Sequence, residues 1–230
     1  LSSRRKKMKK IISIILLAIV SVSFLVAANV DVYNNVKVGV GIFNGQRTLN
    51  FKSGDSNYAI DASEVKRTDL VIATTPEVYL TSNFGVGGGL YVMIPLSVTD
   101  GGVEKTDNKI VLSPTAFICG KVDVTKDFSL VGKTGVSLER LTSKSSDTAL
   151  RTTLNITDLL FMADLSGRYK ISNSKKTSFS LEAGCTVLTP IYTWAKSETT
   201  IGSNISHKAE YDTKNIAYDI IPYVSLAFTL

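Results

Sequence analysis

Asn215-Ile-Ala-Tyr-Asp-Ile-Ile-Pro-Tyr-Val-Ser-Leu-Ala-Phe-Thr-Leu230 decides the fold. From Ile216 every second residue is one that lipid accepts: Ile216, Tyr218, Ile220, Pro222, Val224, Leu226, Phe228 and Leu230. Between them stand Ala217, Asp219, Ile221, Tyr223, Ser225, Ala227 and Thr229, smaller or more polar except for Ile221. A period of two is a strand with one apolar face. The run is longer than most strands of soluble domains, and an open edge of that length recruits other chains. A closed barrel uses it, because pairing with the first strand abolishes the edge.

Seven further runs alternate in the same way, each near the ~9–11 residues that a tilted membrane strand needs. They cover Asn35–Phe43, Leu70–Thr81, Gly85–Val98, Lys109–Val122, Phe128–Leu138, Thr157–Ile171 and Thr177–Trp194. In the first, Val36, Val38, Val40 and Ile42 take one face and Lys37, Gly39 and Gly41 the other. Short connections at 82–84, 124–127 and 172–176 alternate with longer polar ones at 44–69, 99–108, 142–155 and 195–214. That alternation is the pattern of transmembrane barrels, with tight turns at one rim and long loops at the other. Phe84, Phe128, Phe179 and Phe228 fall at the short-turn ends, and Tyr192, Trp194 and Tyr218 at the long-loop ends, as two interfacial belts.

The terminal strand resembles that of bacterial outer-membrane barrels. Such a strand typically ends in an aromatic or apolar residue, with another two before it and a small residue near the fifth from last. Leu230, Phe228 and Ser225 stand in those places, with Tyr223 where the pattern takes a polar or aromatic residue. The usual final residue is Phe and the usual small one Gly, so the pattern is matched in kind and not in identity. Over nearly all of 30–230 the chain is similar to the small eight-stranded proteins of the OmpA-transmembrane, OmpX and OmpW kind. The resemblance implies a bacterial outer-membrane location and recognition of Tyr223, Ser225, Phe228 and Leu230 by the barrel-assembly machinery.

The expected fold is all-β, an eight-stranded antiparallel up-and-down transmembrane β-barrel after an N-terminal signal peptide. Residues 1–28 carry the export signature: six basic residues among the first ten, then Ile11–Ala28 without a charge, ending Val26-Ala27-Ala28. Eighteen apolar residues also reach the lower limit of a spanning helix, the uncleaved alternative. Met8 is the more natural start. Residues 29–230 form the single barrel domain. The chain has 26 basic and 20 acidic residues. Without the leader the balance is twenty against twenty, so the net charge of +6 reports export and gives no support to nucleic-acid binding.

Eleven charges fall on inward positions: Lys37, Glu77, Lys121, Lys133, Glu139, Asp158, Asp164, Arg168, Lys170, Glu182 and Asp219. Eight strands leave an interior that side chains just fill, so these charges are expected to pair and close the lumen. Cys119 falls inward and Cys185 outward on strands that are not neighbours, so two small hydrophobes are expected and not a disulfide. All five prolines lie inside proposed strands, where proline removes a ladder bond and calls for bulges or strand ends.

Motifs that carry chemistry are absent. Gly132-Lys133-Thr134 lacks the upstream glycine of a phosphate-binding loop, where Asp127 stands, and no helix follows it. The single histidine, His207, reads as a solvated loop residue. No enzyme, cofactor or metal site is expected. The expected role is structural or surface-interacting, with lipid around the barrel and a host or envelope ligand on the long loops. The alternatives are a channel for small or apolar solutes, a barrel enzyme acting on lipid, and a soluble lipocalin-like barrel with the two faces inverted.

Overall fold

In a computed structural model of the chain the alternating runs join into one antiparallel sheet that closes on itself. The structure describes residues 31–53, 56–100, 102–104, 109–144, 150–173, 178–201 and 204–229, and fewer side chains toward the tips of the long hairpins. The proposed signal segment 1–28 and the final Leu230 lie outside the described residues.

The strands are β1 (Asp31–Ser53), β2 (Ser56–Thr74), β3 (Glu77–Tyr79), β4 (Phe84–Asp100), β5 (Val103–Glu104), β6 (Val111–Asp123), β7 (Phe128–Lys144), β8 (Leu150–Asn173), β9 (Ser178–Ile201) and β10 (Asn204–Thr229). β3 continues the path of β2 past Pro76, and β5 is a two-residue spur on β4. Eight strands therefore form the wall, in the order β10-β9-β8-β7-β6-β4-β2-β1. β1 returns to β10, from Tyr33↔Thr229 to Asn50↔Asp212, and leaves no edge.

The wall strands show the two faces read from their sequence, except that Val92 of β4, read as outward, is buried between Tyr91 and Met93. Val38, Val40, Ile42, Leu112, Ile118, Val136, Leu165, Leu181, Val224 and Leu226 are exposed, whereas Lys37, Glu77, Ser113, Lys133, Asp164, Glu182 and Ser225 are buried. An apolar exterior around a charged interior is the reverse of a soluble lipocalin-like barrel. That alternative fails on the faces. Cys119 is buried on the inside, Cys185 is half-buried on the outside, and both are free thiols.

Two tight turns have the same sequence logic. In Leu80-Thr-Ser-Asn-Phe84 and Val124-Thr-Lys-Asp-Phe128 the threonine Oγ1 accepts the phenylalanine N–H, at 3.0 Å in both turns. Leu80 N and Val124 N then donate to the carbonyls of Phe84 and Phe128, each at 2.9 Å. A hydroxyl that replaces a backbone acceptor stabilises the reversal. The aromatic that closes each turn belongs to the lower belt, where Phe128 pairs across with Tyr169 and Phe179 with Phe228.

The strands are longer than the expected nine to eleven residues. Three of the stretches read as long loops are mostly paired backbone. β7 and β8 remain in register to Lys144↔Thr153, while β1 and β2 pair to Ser53↔Ser56 past a bulge at Gln46/Thr48, and β9 and β10 to Ile201↔Asn204 past shifts at Ile205/His207 and Asp212/Asp219. His207, read as a loop residue, lies in β10 opposite Thr199. Above the apolar band a ladder needs no lipid-compatible face, because backbone bonds hold any residue with strand propensity. Alternation marks where the membrane stops and not where the strand stops.

All five prolines sit where a ladder is interrupted. Pro76 lies between β2 and β3. Pro95 and Pro190 flank bulges, at Thr68/Asp69 opposite β4 and at Leu159/Leu160 opposite β9. The β6–β7 ladder begins at Thr115, one residue after Pro114. The β1–β10 pairing skips from Gly39↔Tyr223 to Ile42↔Ile220, across Pro222. Each imino nitrogen thus stands where no ladder donor is required. Gly87 has a different purpose, since a Cβ there would collide with the Phe117 ring that fills the lumen beside it.

Candidate functional site

Among the described residues the interior brings unlike chemistry together, and it is stacked in three layers. The layer nearest the tight turns contains Lys37 from β1, Glu77 from β3, Lys133 from β7, Asp164 and Arg168 from β8, and Glu182 from β9, all buried. Three cations meet three carboxylates. Lys133 Nζ lies 2.7 Å from Glu77 and 3.1 Å from Glu182. Arg168 Nη2 lies 2.8 Å from Glu77 and 2.7 Å from Glu182, and its Nε donates to Glu182 at 2.9 Å. Lys37 Nζ is 2.8 Å from Asp164 and 3.9 Å from the centroid of the Tyr223 ring. The Tyr223 hydroxyl is 2.9 Å from both Asp164 and Glu182, so one proton ties the two halves together. Asn35 Nδ2 and Tyr79 also donate to Glu77, Ser166 to Glu182 and Thr186 to Asp164, on oxygens that the cations share. Buried charges are tolerated only when paired and hydrogen-bonded to this extent.

Above this layer the lumen turns apolar. Val71, Tyr91, Met93, Val111, Leu160, Met162, Leu188 and Ile221 belong to one buried cluster drawn from β2, β4, β6, β8, β9 and β10. Met162 pairs across with Leu188. This septum was not anticipated, although its signal is in the sequence: Ile221 breaks the small-or-polar rule of its face, and Met93, Met162 and Leu188 break it likewise.

The third layer faces the long hairpins. Arg67 Nε donates to Asp69 at 2.6 Å and Nη1 to Glu139 at 3.1 Å, and Nη2 lies 3.8 Å from Asp219. The guanidinium carbon sits 5.0 Å from the Phe43 ring centroid. Asp158 accepts a bond from Thr193 Oγ1 at 2.5 Å. Asp69 Oδ1 and both Asp219 oxygens have no hydrogen-bond donor. Among the described residues no group of three His, Cys, Asp or Glu side chains is placed to hold a metal ion.

Of the eleven expected lumen charges, six form the lower layer, and Glu139, Asp158 and Asp219 belong to the upper one. Lys121 and Lys170 keep the inward side but lie below both charge layers and do not help to close the lumen. They are only partly buried and line the short-turn mouth, because the barrel opens within two residues of its last tight turns. Arg67 and Asp69 were missed inside a presumed loop; continuing the inward parity of Glu77 back through Ala73 and Val71 would have found both. Asp158 and Asp164 lie in different layers. Tyr223 and Ser225 face inward, and Phe228 lies opposite Phe179 at the lower belt.

The mouth is a cavity of about 420 Å³ lined by Tyr33, Lys121, Asp123, Lys126, Arg168 and Lys170, among others. At its turn edge, Ser129 Oγ donates to Asp123 at 2.6 Å and holds that carboxyl below the usual range.

No protein-family model matches the sequence, and no curated relative matches it. Solved structures do resemble it. The outer membrane protein OprG from Pseudomonas aeruginosa superposes with a TM-score of 0.53 at 12% identity, over 85% of this chain and 95% of that one. The Neisserial surface protein A gives 0.49 at 8% identity, over 86% and 97%. The likeness to OprG shows the fold, that of a bacterial outer-membrane barrel. Taken with the apolar exterior, it makes the chain a transmembrane β-barrel of the outer-membrane fold.

Proposed function

We propose that this barrel is a sealed outer-membrane anchor that works through its long hairpins and not through its lumen or any catalytic group. The observation that carries the reading is the apolar septum between two charge layers. A path through the barrel would have to wet Val71, Met93, Leu160, Met162, Leu188 and Ile221, and hydrophobic constrictions of this kind exclude water and ions. The paired strands above the belt of Tyr192, Trp194 and Tyr218 supply the presented surface, with β1–β2, β7–β8 and β9–β10 as its hairpins. A host or envelope ligand would meet the chain there.

Single-channel recording in a planar bilayer tests the seal. The wild-type chain is expected to give no sustained conductance, and the combined Leu188→Ala and Ile221→Ala variant to give discrete open steps. Sustained conductance of the wild-type chain would replace this reading with a channel for small solutes.

A further inference from the structure

The mouth at the tight turns has features that a merely open barrel end does not require. Its inner wall includes Arg168, which is 4% exposed and spends Nε and Nη2 on Glu77 and Glu182. Its remaining nitrogen, Nη1, is buried without an acceptor. Two residues nearer the opening on the same strand is Lys170, and two strands along the wall, on β6, is Lys121. Both lysines are fixed by the preceding turn in the same way. Lys121 N donates to the Asn83 carbonyl and Lys170 N to the Asp127 carbonyl, each at 2.8 Å. Asn83 Nδ2 returns a bond to the Lys121 carbonyl at 3.0 Å. Apart from Arg168, whose charge Glu77 and Glu182 already meet, the lining holds three lysines (Lys121, Lys126 and Lys170) against two carboxylates, Asp123 and Asp127. Lys121 lies 3.6 Å from Asp123, a half-exposed pair of little strength.

We propose that this mouth binds a phosphate-bearing anion. Its oxygens would take up the Arg168 Nη1 donor at the inner end and the Lys121 and Lys170 ammoniums at the rim. Charge-assisted bonds from one guanidinium nitrogen and two ammoniums suit a group with three or four acceptor oxygens. The volume accepts inorganic phosphate or the headgroup of a phospholipid from the surrounding leaflet, and both offer the same chemistry to these donors. The site is independent of the sealed-lumen reading, because it lies outside the septum.

The test uses the full chain refolded in maltoside micelles in phosphate-free buffer. Inorganic phosphate is titrated in and followed by its phosphorus resonance. In parallel, micelles doped with phosphatidylglycerol are examined by native mass spectrometry. The expected result is saturable binding that weakens at least tenfold in the Lys121→Ala/Lys170→Ala variant while heat-modifiable gel mobility persists. Should that variant fail to fold, Lys170→Gln gives the same comparison. Phosphate bound without phosphatidylglycerol assigns the site to a free anion, and phosphatidylglycerol retained and displacing phosphate assigns it to a headgroup. Neither bound, or binding equal in wild type and variant, overturns the proposal.

Discussion

Glu77→Ala is expected to lower the unfolding free energy of the barrel by about 3–5 kcal/mol, the usual cost of leaving buried charges without their partner. Glu77 is fully buried and accepts from Asn35, Tyr79, Lys133 and Arg168 at once. Its loss leaves Lys133 and Arg168 to share Glu182 in a volume that water does not reach. Glu77→Gln keeps an acceptor and removes the charge, so it should fall between wild type and alanine. The measurement is urea unfolding of vesicle-inserted protein, followed by fluorescence of the chain's single tryptophan, Trp194, in the upper belt. A change under about 1 kcal/mol, typical of solvated ion pairs, would mean that the lower layer is wet and the lumen open from that side.

The second large effect concerns the outer face. Val224→Arg is expected to cost about 2–4 kcal/mol, as arginine does at the midplane of a membrane barrel, whereas Leu80→Arg at the turn end should cost about 0–1 kcal/mol. Both positions are exposed, at 58% and 60%, so a water-facing surface would treat them alike. Depth in the membrane is the main variable that separates them. Val224 lies between Tyr218 and Phe228 of the two belts on β10, and Leu80 opens the first tight turn. Equal and small effects at the two sites would show that no lipid surrounds the wall.

Much of this architecture was legible in the chain because a barrel wall obeys one local rule. Period-two alternation in β10 assigns Val224 and Leu226 outward and Tyr223 and Ser225 inward, and pairing with β1 then fixes the register without further information. Charge on the inward parity likewise located Lys37, Glu77, Lys133, Asp164, Arg168 and Glu182, though not which partner each one takes. Partners depend on relative strand stagger, which places Lys133 of β7 between Glu77 of β3 and Glu182 of β9. No single strand's sequence contains that stagger. Arg67 and Asp69 were overlooked because polarity outside the membrane reads as loop, although the ladder runs on to Ser53↔Ser56. The prolines were legible as exceptions and not as solutions, since only the finished pairing shows that each one falls at a break in a ladder.

The central claim, a closed barrel that crosses a membrane, meets its most direct test in gel mobility. Protein from the membrane fraction is run in SDS with and without boiling. A wall that satisfies every backbone bond internally should resist SDS when cold. The unboiled sample is therefore expected to migrate as a compact band that shifts on heating. A single unshifted band, recovered from a soluble fraction, would contradict the barrel and invert every inside and outside assignment made from it.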